Sequence, residues 1–224
     1  MPTLSCATWN LRVGRKPDVV AREVDHLLTA HDLDVLLVCE AAGYIKALRR
    51  ALKGRYKIAT GLAGDISGRD SAIIVRKGLS RGIRRVHRLE RMGWERRAGR
   101  PGLHHNRSAV SQSVEGIRFL SVHLPPPAGD GQPLRRAAMG SALKTVHDIG
   151  ERWTERGRRW VMAGDWNLTP EQAIPRIVFP PKDFPHIGAH IEWAIGHGVR
   201  LSVHERIDPA GSDHPPVLFR VSPR

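Results

Sequence analysis

The sequence predicts an α/β (α+β) fold built on mixed β-sheet, and three observations carry that expectation. Apolar runs of strand length alternate with a helical periodicity at the N-terminus. Strand signals then recur to the C-terminal end. The 224 residues, 41% of them hydrophobic, suffice for one domain of ordinary size with a substantial core.

The elements follow in order. "TLSCATWN" (3–10) reads as a buried strand, and "DVVAREVDHLLTAH" (18–31) carries Val20, Val24, Leu27 and Leu28 at helical spacing. "LDVLLVCE" (33–40) is near-continuously apolar, as a strand covered on both faces would be. With the short helix "YIKALRRALK" (44–53) it completes strand–helix–strand–helix, the pattern of a parallel crossover. "RYKIAT" (55–60) and "SAIIVRKG" (71–78) suggest further strands. From Arg76 to Arg107 runs a basic, Gly-rich segment opposed only by Glu90 and Glu95, whose stretch from Arg81 onward could form a groove-binding loop. "SAVSQSV" and "IRFLSVHLPPP" look like a hairpin, a long helix covers Pro133 to Arg156, and "RRWVMAGDWN" is the next strand. The Pro-rich "IPRIVFPPKDFPHIG" reads as a loop. "HIEWAIGHGVRLSVHERI" reads as two strands joined at Gly196–Gly198, and "SDHPPVLFRV" as the last strand. No repeat or linker divides the chain, so residues 1–224 are expected to form a single domain.

The formal net charge is +14. Arginine outnumbers lysine, which compositional bias explains, but such bias does not explain the excess of positive over negative charge. A polyanionic partner is implied, nucleic acid ahead of an anionic lipid surface. No apolar stretch approaches the roughly 20 residues of a membrane helix. The first residues lack the basic start and long apolar core of a secretion signal, so a cytoplasmic location is expected. No obligate protein partner is evident. Cys6 and Cys39 sit in separate apolar runs and are expected to be reduced core residues.

Polar residues collect at strand ends. Asn10, Glu40 and His123 each close an apolar run, Asp165 and Asn167 close "AGDWN", and Asp213 and His214 precede the last strand. Ligands in α/β sheets gather where strands give way to loops, so this repetition suggests one shared site. Each residue also has a plain structural reading. Asp165, five residues before Pro170, could cap the following helix, and His214 before Pro215 could be an exposed turn histidine. Asp165 and Asn167, one residue apart, can point the same way from extended chain, with Trp166 facing into packing.

Taken in order, Asn10, Glu40, "SAIIVRKG", "SVHLPP", "GDWN", "HIEW" and "SDHPP" resemble the endonuclease/exonuclease/phosphatase superfamily, most closely its deoxyribonuclease I branch. The resemblance implies a four-layer sandwich of two mixed β-sheets flanked by helices, deoxyribonuclease I-like. It implies Glu40 as the main Mg²⁺ ligand, with Asn10 nearby, Asp213 completing the metal site and Mn²⁺ as an alternative ion. Asp165 and Asn167 would contact the attacking water, the phosphate or a second metal, and His214 would face the scissile phosphate. His123 stands where the deoxyribonuclease I, tyrosyl-DNA phosphodiesterase and sphingomyelinase branches have a histidine and the apurinic endonuclease branch usually has none. One position departs: Glu192 replaces the usual Asp, one methylene shorter. Its implied role is to hold His214 in the productive tautomer and favour its protonated form.

The implied activity is Mg²⁺-dependent phosphodiester hydrolysis by a nuclease acting on DNA, with RNA second. The alternatives are a phosphatase or phosphodiesterase acting on phosphoinositide- or sphingomyelin-type substrates, and a nucleic-acid-binding module with weakened catalysis. Substrate contacts are expected from Arg12, just past Asn10, from Trp94 as a stacking platform and from Arg107 at the end of the basic segment.

Overall fold

In a computed structural model, residues 2–61, 71–91, 106–126, 133–177, 185–207 and 214–224 are described. β1 (Leu4–Asn10) and β2 (Val35–Cys39) pair in parallel, with Asn10 level with Cys39 and Cys6 level with Val35. The two cysteines are therefore four positions apart along the sheet, and both are buried and free. Between the strands runs α1 (Pro17–Ala30), which opens on a proline, a residue suited to the first turn, and buries Val20, Val24, Leu27 and Leu28. A 3₁₀ turn at Ala42–Tyr44 leads into α2 (Ile45–Ala51). β3 (Tyr56–Thr60) and β4 (Ala72–Arg76) follow as an antiparallel pair, with β4 lying against β2.

The second sheet repeats the plan. β5 (Arg81–Arg91), β6 (Asn106–Val114) and β7 (Ile117–His123) form an antiparallel meander. α3 (Pro133–Glu155) then crosses over to β8 (Trp160–Asp165), which lies parallel to β7 with His123 level with Asp165. After α4 (Pro170–Ile177), β9 (His186–Ala189) and β10 (Glu192–His197) complete this sheet, with Glu192 opposite Asp165. β11 (Val199–Arg206) and β12 (Val217–Pro223) return to the first sheet. The orders are β11-β12-β1-β2-β4-β3 and β5-β6-β7-β8-β10-β9.

Three cores hold four layers together. Leu28, Leu36, Val38 and Leu48 pack α1 and α2 on the first sheet, and Val146, Trp160, Met162 and Ile174 pack α3 and α4 on the second. Cys6, Leu37, Phe119, Val161, Ala194 and Phe219 fill the space between the sheets. The expected four-layer sandwich is therefore present. No described helix is long and apolar enough to cross a membrane.

Two local expectations are corrected, and one connection is specified. The basic segment is not irregular throughout: residues 81–91 form β5, which β6 pairs on one side and which ends the sheet on the other. Charged side chains suit such an edge because they discourage pairing with another chain. The Pro-rich stretch is not all loop, since its first residues belong to α4, whose Ala173, Ile174 and Ile177 are buried. Their burial outweighs the hydrogen bond lost at Pro175. The strands flanking Gly196–Gly198 do not pair with each other but enter different sheets.

Gly164, one residue before the end of β8, has φ +151°, and a Cβ there would stand 1.9 Å from the Val122 carbonyl oxygen. Only glycine lets β7 and β8 approach closely enough to set His123 beside Asp165. On β5, His87 Nε2 contacts Ser111 Oγ at 2.8 Å. Burial first, then the charges of Arg152 and Arg85, lower its pKa from 6.5 to about 4.

Two outcomes follow. Gly164→Ala should destabilise the fold by roughly 3 kcal/mol in urea titration, since the backbone at Val122 must move; an unchanged midpoint would contradict the close approach. Protonating His87 costs the folded state only, so its contribution is intact above pH 6.5 and is lost as pH falls toward 4. The urea midpoint of His87→Gln should therefore decline less than that of the wild type across this window, and equal declines would contradict this reading.

Candidate active site

Each sheet contains one parallel pair, and both pairs end at the same edge of the sandwich. Asn10 closes β1, donates from Nδ2 to Asp165 Oδ2 on the opposite sheet at 2.9 Å, and accepts from the Arg12 amide at 3.0 Å. Glu40, directly after β2, accepts from the Val13 amide at 2.7 Å. His123 at the end of β7 lies between carboxylates of both sheets, its Nε2 3.9 Å from Glu40 Oε1 and 3.7 Å from Asp165 Oδ2. Glu192, at the start of β10, brings Oε1 to 3.2 Å from His214 Nδ1. The His214 backbone is held in turn, its carbonyl accepting from Trp9 Nε1 at 3.0 Å. Asn10, Glu40, His123, Asp165, Glu192 and His214 thus converge as the sequence pattern led us to expect.

Asp165 does not cap α4. Its Oδ1 accepts from the Asn167 amide at 2.9 Å, an Asx-type turn. The helix instead begins after Thr169, whose amide donates to Gln172 Oε1 at 3.1 Å, half of a capping box. Asn167 donates from Nδ2 to the Leu124 carbonyl at 2.8 Å, which ties the end of β8 to the chain leaving β7. Trp166 faces away, fully buried and stacked on Trp193 with centroids 4.2 Å apart.

Arg12, Glu40 and Asn167 have φ of 57°, 56° and 50°. Left-handed backbone costs non-glycine residues about 1–2 kcal/mol each, and here it turns the chain sharply just past three strand ends. Tyr44 was not singled out by the sequence, yet its hydroxyl accepts from the Arg15 amide and donates to the Arg12 carbonyl, bracing the turn after β1. A tyrosine four residues past a strand-ending glutamate gives no periodic or motif signal.

Arg107 is in a strand, not in a loop. It lies in β6 and is 3% exposed, and its guanidinium donates to the same Leu124 carbonyl that Asn167 uses. Buried there, it braces the Asn167 turn, and, against the burial that raises the Asp165 pKa, its charge helps to lower it. Arg12 is exposed beside the site. Asp213 and Trp94 lie outside the described residues.

The electrostatics favour a cation. Burial raises the Asp165 pKa, against the hydrogen bond from Asn10 and the charge of His214. Glu192 is raised to about 8, mainly by burial and further by Asp165 and Glu40, while contact with His214 opposes the shift. Among the described residues, neither of its buried carboxylate oxygens accepts a well-formed hydrogen bond, and Oε1 meets His214 only at ion-pair distance. Three carboxylates sharing one partly dry edge repel one another, and a hard divalent ion relieves that repulsion with the oxygen ligands it prefers. Donor atoms of Asp165, Glu192 and His214 lie within 4.8 Å of one another and could themselves hold an ion. The His214–Glu192 contact competes with that use, which favours the Glu40 and Asn10 side of the cluster. A second group on α3, His147, Asp148 and Glu151, is exposed or half-buried, and Lys144 already holds its Asp148.

The fold has close relatives in shape and distant ones in sequence. The human Nocturnin catalytic domain with bound sulfate superposes with a TM-score of 0.71 at 15% identity, covering 99% of this chain and 95% of that one. An endonuclease/exonuclease/phosphatase from Bacteroides vulgatus gives 0.70 at 16% identity, with both chains fully covered. Truncated TDP2 from Caenorhabditis elegans gives 0.66 at 17% identity, covering 98% and 97%. No curated protein sequence matches. Residues 7–214, a span holding every polar strand end described above, match the Endonuclease/Exonuclease/phosphatase family, and the chain belongs to it.

Proposed function

We propose that this protein is a Mg²⁺-dependent phosphodiester hydrolase that cleaves nucleic acid, DNA ahead of RNA. The observation that carries the reading is His123, set between Glu40 of one sheet and Asp165 of the other. Imidazole between carboxylates at a cation-favouring edge suits the neutralisation and proton transfer that an anionic diester demands. The net charge of +14 supports a polyanionic substrate.

Glu40, Asn10 and Asp213 are the residues that would hold Mg²⁺, with Mn²⁺ able to substitute. When bound, the ion stabilises charge on the phosphate and on the leaving oxygen. Asp165 draws a proton from the attacking water, and its raised pKa makes it a better base than an exposed carboxylate. The Asn10 bond and the Asn167 turn hold that carboxylate in one orientation. Glu192 Oε1, 3.2 Å from His214 Nδ1, orients the ring electrostatically so that it can donate to a phosphate oxygen. The longer Glu192 side chain comes within 3.2 Å of His214 Nδ1, which supports the same role for Glu as for Asp. His123 supplies a second imidazole to the same phosphate.

Purified protein should cleave plasmid and oligonucleotides in Mg²⁺ and stop in EDTA. Asp165→Ala, His214→Ala and Glu40→Gln should each lower kcat by roughly 10²–10⁴-fold. Glu192→Gln should lower it more than Glu192→Asp. Cleavage that survives EDTA or Asp165→Ala would overturn the mechanism. Hydrolysis of inositol phosphates or lipid headgroups with nucleic acid untouched would overturn the substrate.

A further inference from the structure

The first sheet carries a second cationic feature at the end remote from the catalytic cluster. Where α2 gives way to β3, a groove of about 390 Å³ is lined by Arg49, Lys53, Lys57 and Lys77 over a floor that includes Leu52 and Tyr56. The four cations are exposed and the floor residues are buried. Among the described residues, no carboxylate lines the groove.

Nearby acids do not neutralise it. Asp18 is held by Arg50, Glu23 by Arg15, Asp25 by Arg55, and Asp32 with Asp34 by Arg76. Glu40 is engaged at the catalytic edge. These six are all the carboxylates within residues 2–61 and 71–80. The arginines around the groove thus absorb the acids and leave its four cations without an acidic partner among the described residues.

Position argues for a polymer. Tyr56 is level with Arg76, and Val75 with Val35, so the groove sits at the Val35 end of β2 while Glu40 follows the Cys39 end. Five residues of strand separate the two ends, about 16 Å at strand rise. A small anion in the groove could not reach the catalytic carboxylates. A nucleic-acid strand, which carries a phosphate at every nucleotide, could span both.

We propose that this groove is an exosite for the phosphate backbone of nucleic acid, holding a stretch of the strand whose other part lies at the catalytic edge. The exosite rests on the nucleic-acid substrate proposed above. It contacts backbone only, so it adds affinity for length without sequence preference.

The test measures binding in EDTA, so that it does not depend on turnover. Fluorescence anisotropy would follow a 30-nucleotide and a 6-nucleotide single strand from 50 to 200 mM salt. The probe proteins are the wild type, a groove variant with Arg49→Gln, Lys53→Gln, Lys57→Gln and Lys77→Gln, and a charge-matched control with Arg156→Gln, Arg158→Gln, Arg200→Gln and Arg220→Gln. Removing four phosphate contacts should make the slope of log K against log salt shallower by about 3 for the 30-mer. Binding of the 6-mer, and its cleavage in Mg²⁺, should match the control. Equal slopes for groove variant and control on the 30-mer would overturn the exosite while leaving the catalytic reading intact. Failure of the wild type to bind either strand would overturn both, as would binding of phosphatidylserine vesicles in their place.

Discussion

The site depends on one buried hydrogen bond between sheets, from Asn10 Nδ2 on β1 to Asp165 Oδ2 on β8. It links the ends of two strands that share no sheet and lie 155 positions apart in the chain. A charge-assisted bond of this kind contributes about 1.5–3 kcal/mol, and losing its donor would leave a carboxylate buried with one partner fewer. Two further polar contacts run along the same seam, from Ser121 Oγ to the Val38 carbonyl and from Cys39 Sγ to the Val122 carbonyl. Apolar packing alone would let the sheets slide by fractions of a residue. These directional contacts fix the register, and with it the distance between Glu40 and His123.

The price of this arrangement is visible in the site itself. Asp165 and Glu192 are 2% exposed and close enough to Glu40 for each charge to raise the cost of the next. Three residues beside them take left-handed backbone without being glycine. Strain and like charge at one place mark a region shaped for chemistry, with stability supplied elsewhere by three apolar cores.

Much of this was legible in the sequence because both periodicities and strand ends leave local marks. Apolar runs gave the first parallel pair, and the polar residues that stop such runs gave Asn10, Glu40, His123 and Asp165. What stayed hidden depends on contacts between distant segments. β5 was masked by its charge, since an edge strand needs no continuous apolar pattern. Arg107 looked like part of a basic loop, and only its pairing with Glu90 on β5 and its bond to the Leu124 carbonyl show its buried place. Tyr44 works through its hydroxyl on a turn whose shape the sequence does not encode locally. The Gly196–Gly198 link reads as a join between two strands, but a strand that changes sheets has the same turn chemistry as one that folds back, so which sheet each strand enters stays hidden.

Side chains from both sheets lie close enough to share one cation. Anomalous scattering from crystals grown with Mn²⁺ tests this sharing most directly. The account predicts a peak at the Glu40 carboxylate, on the side facing Asn10, with the His214–Glu192 pair intact beside it. Failure to find a peak there, or a single peak at His147, Asp148 and Glu151 on α3, would contradict it.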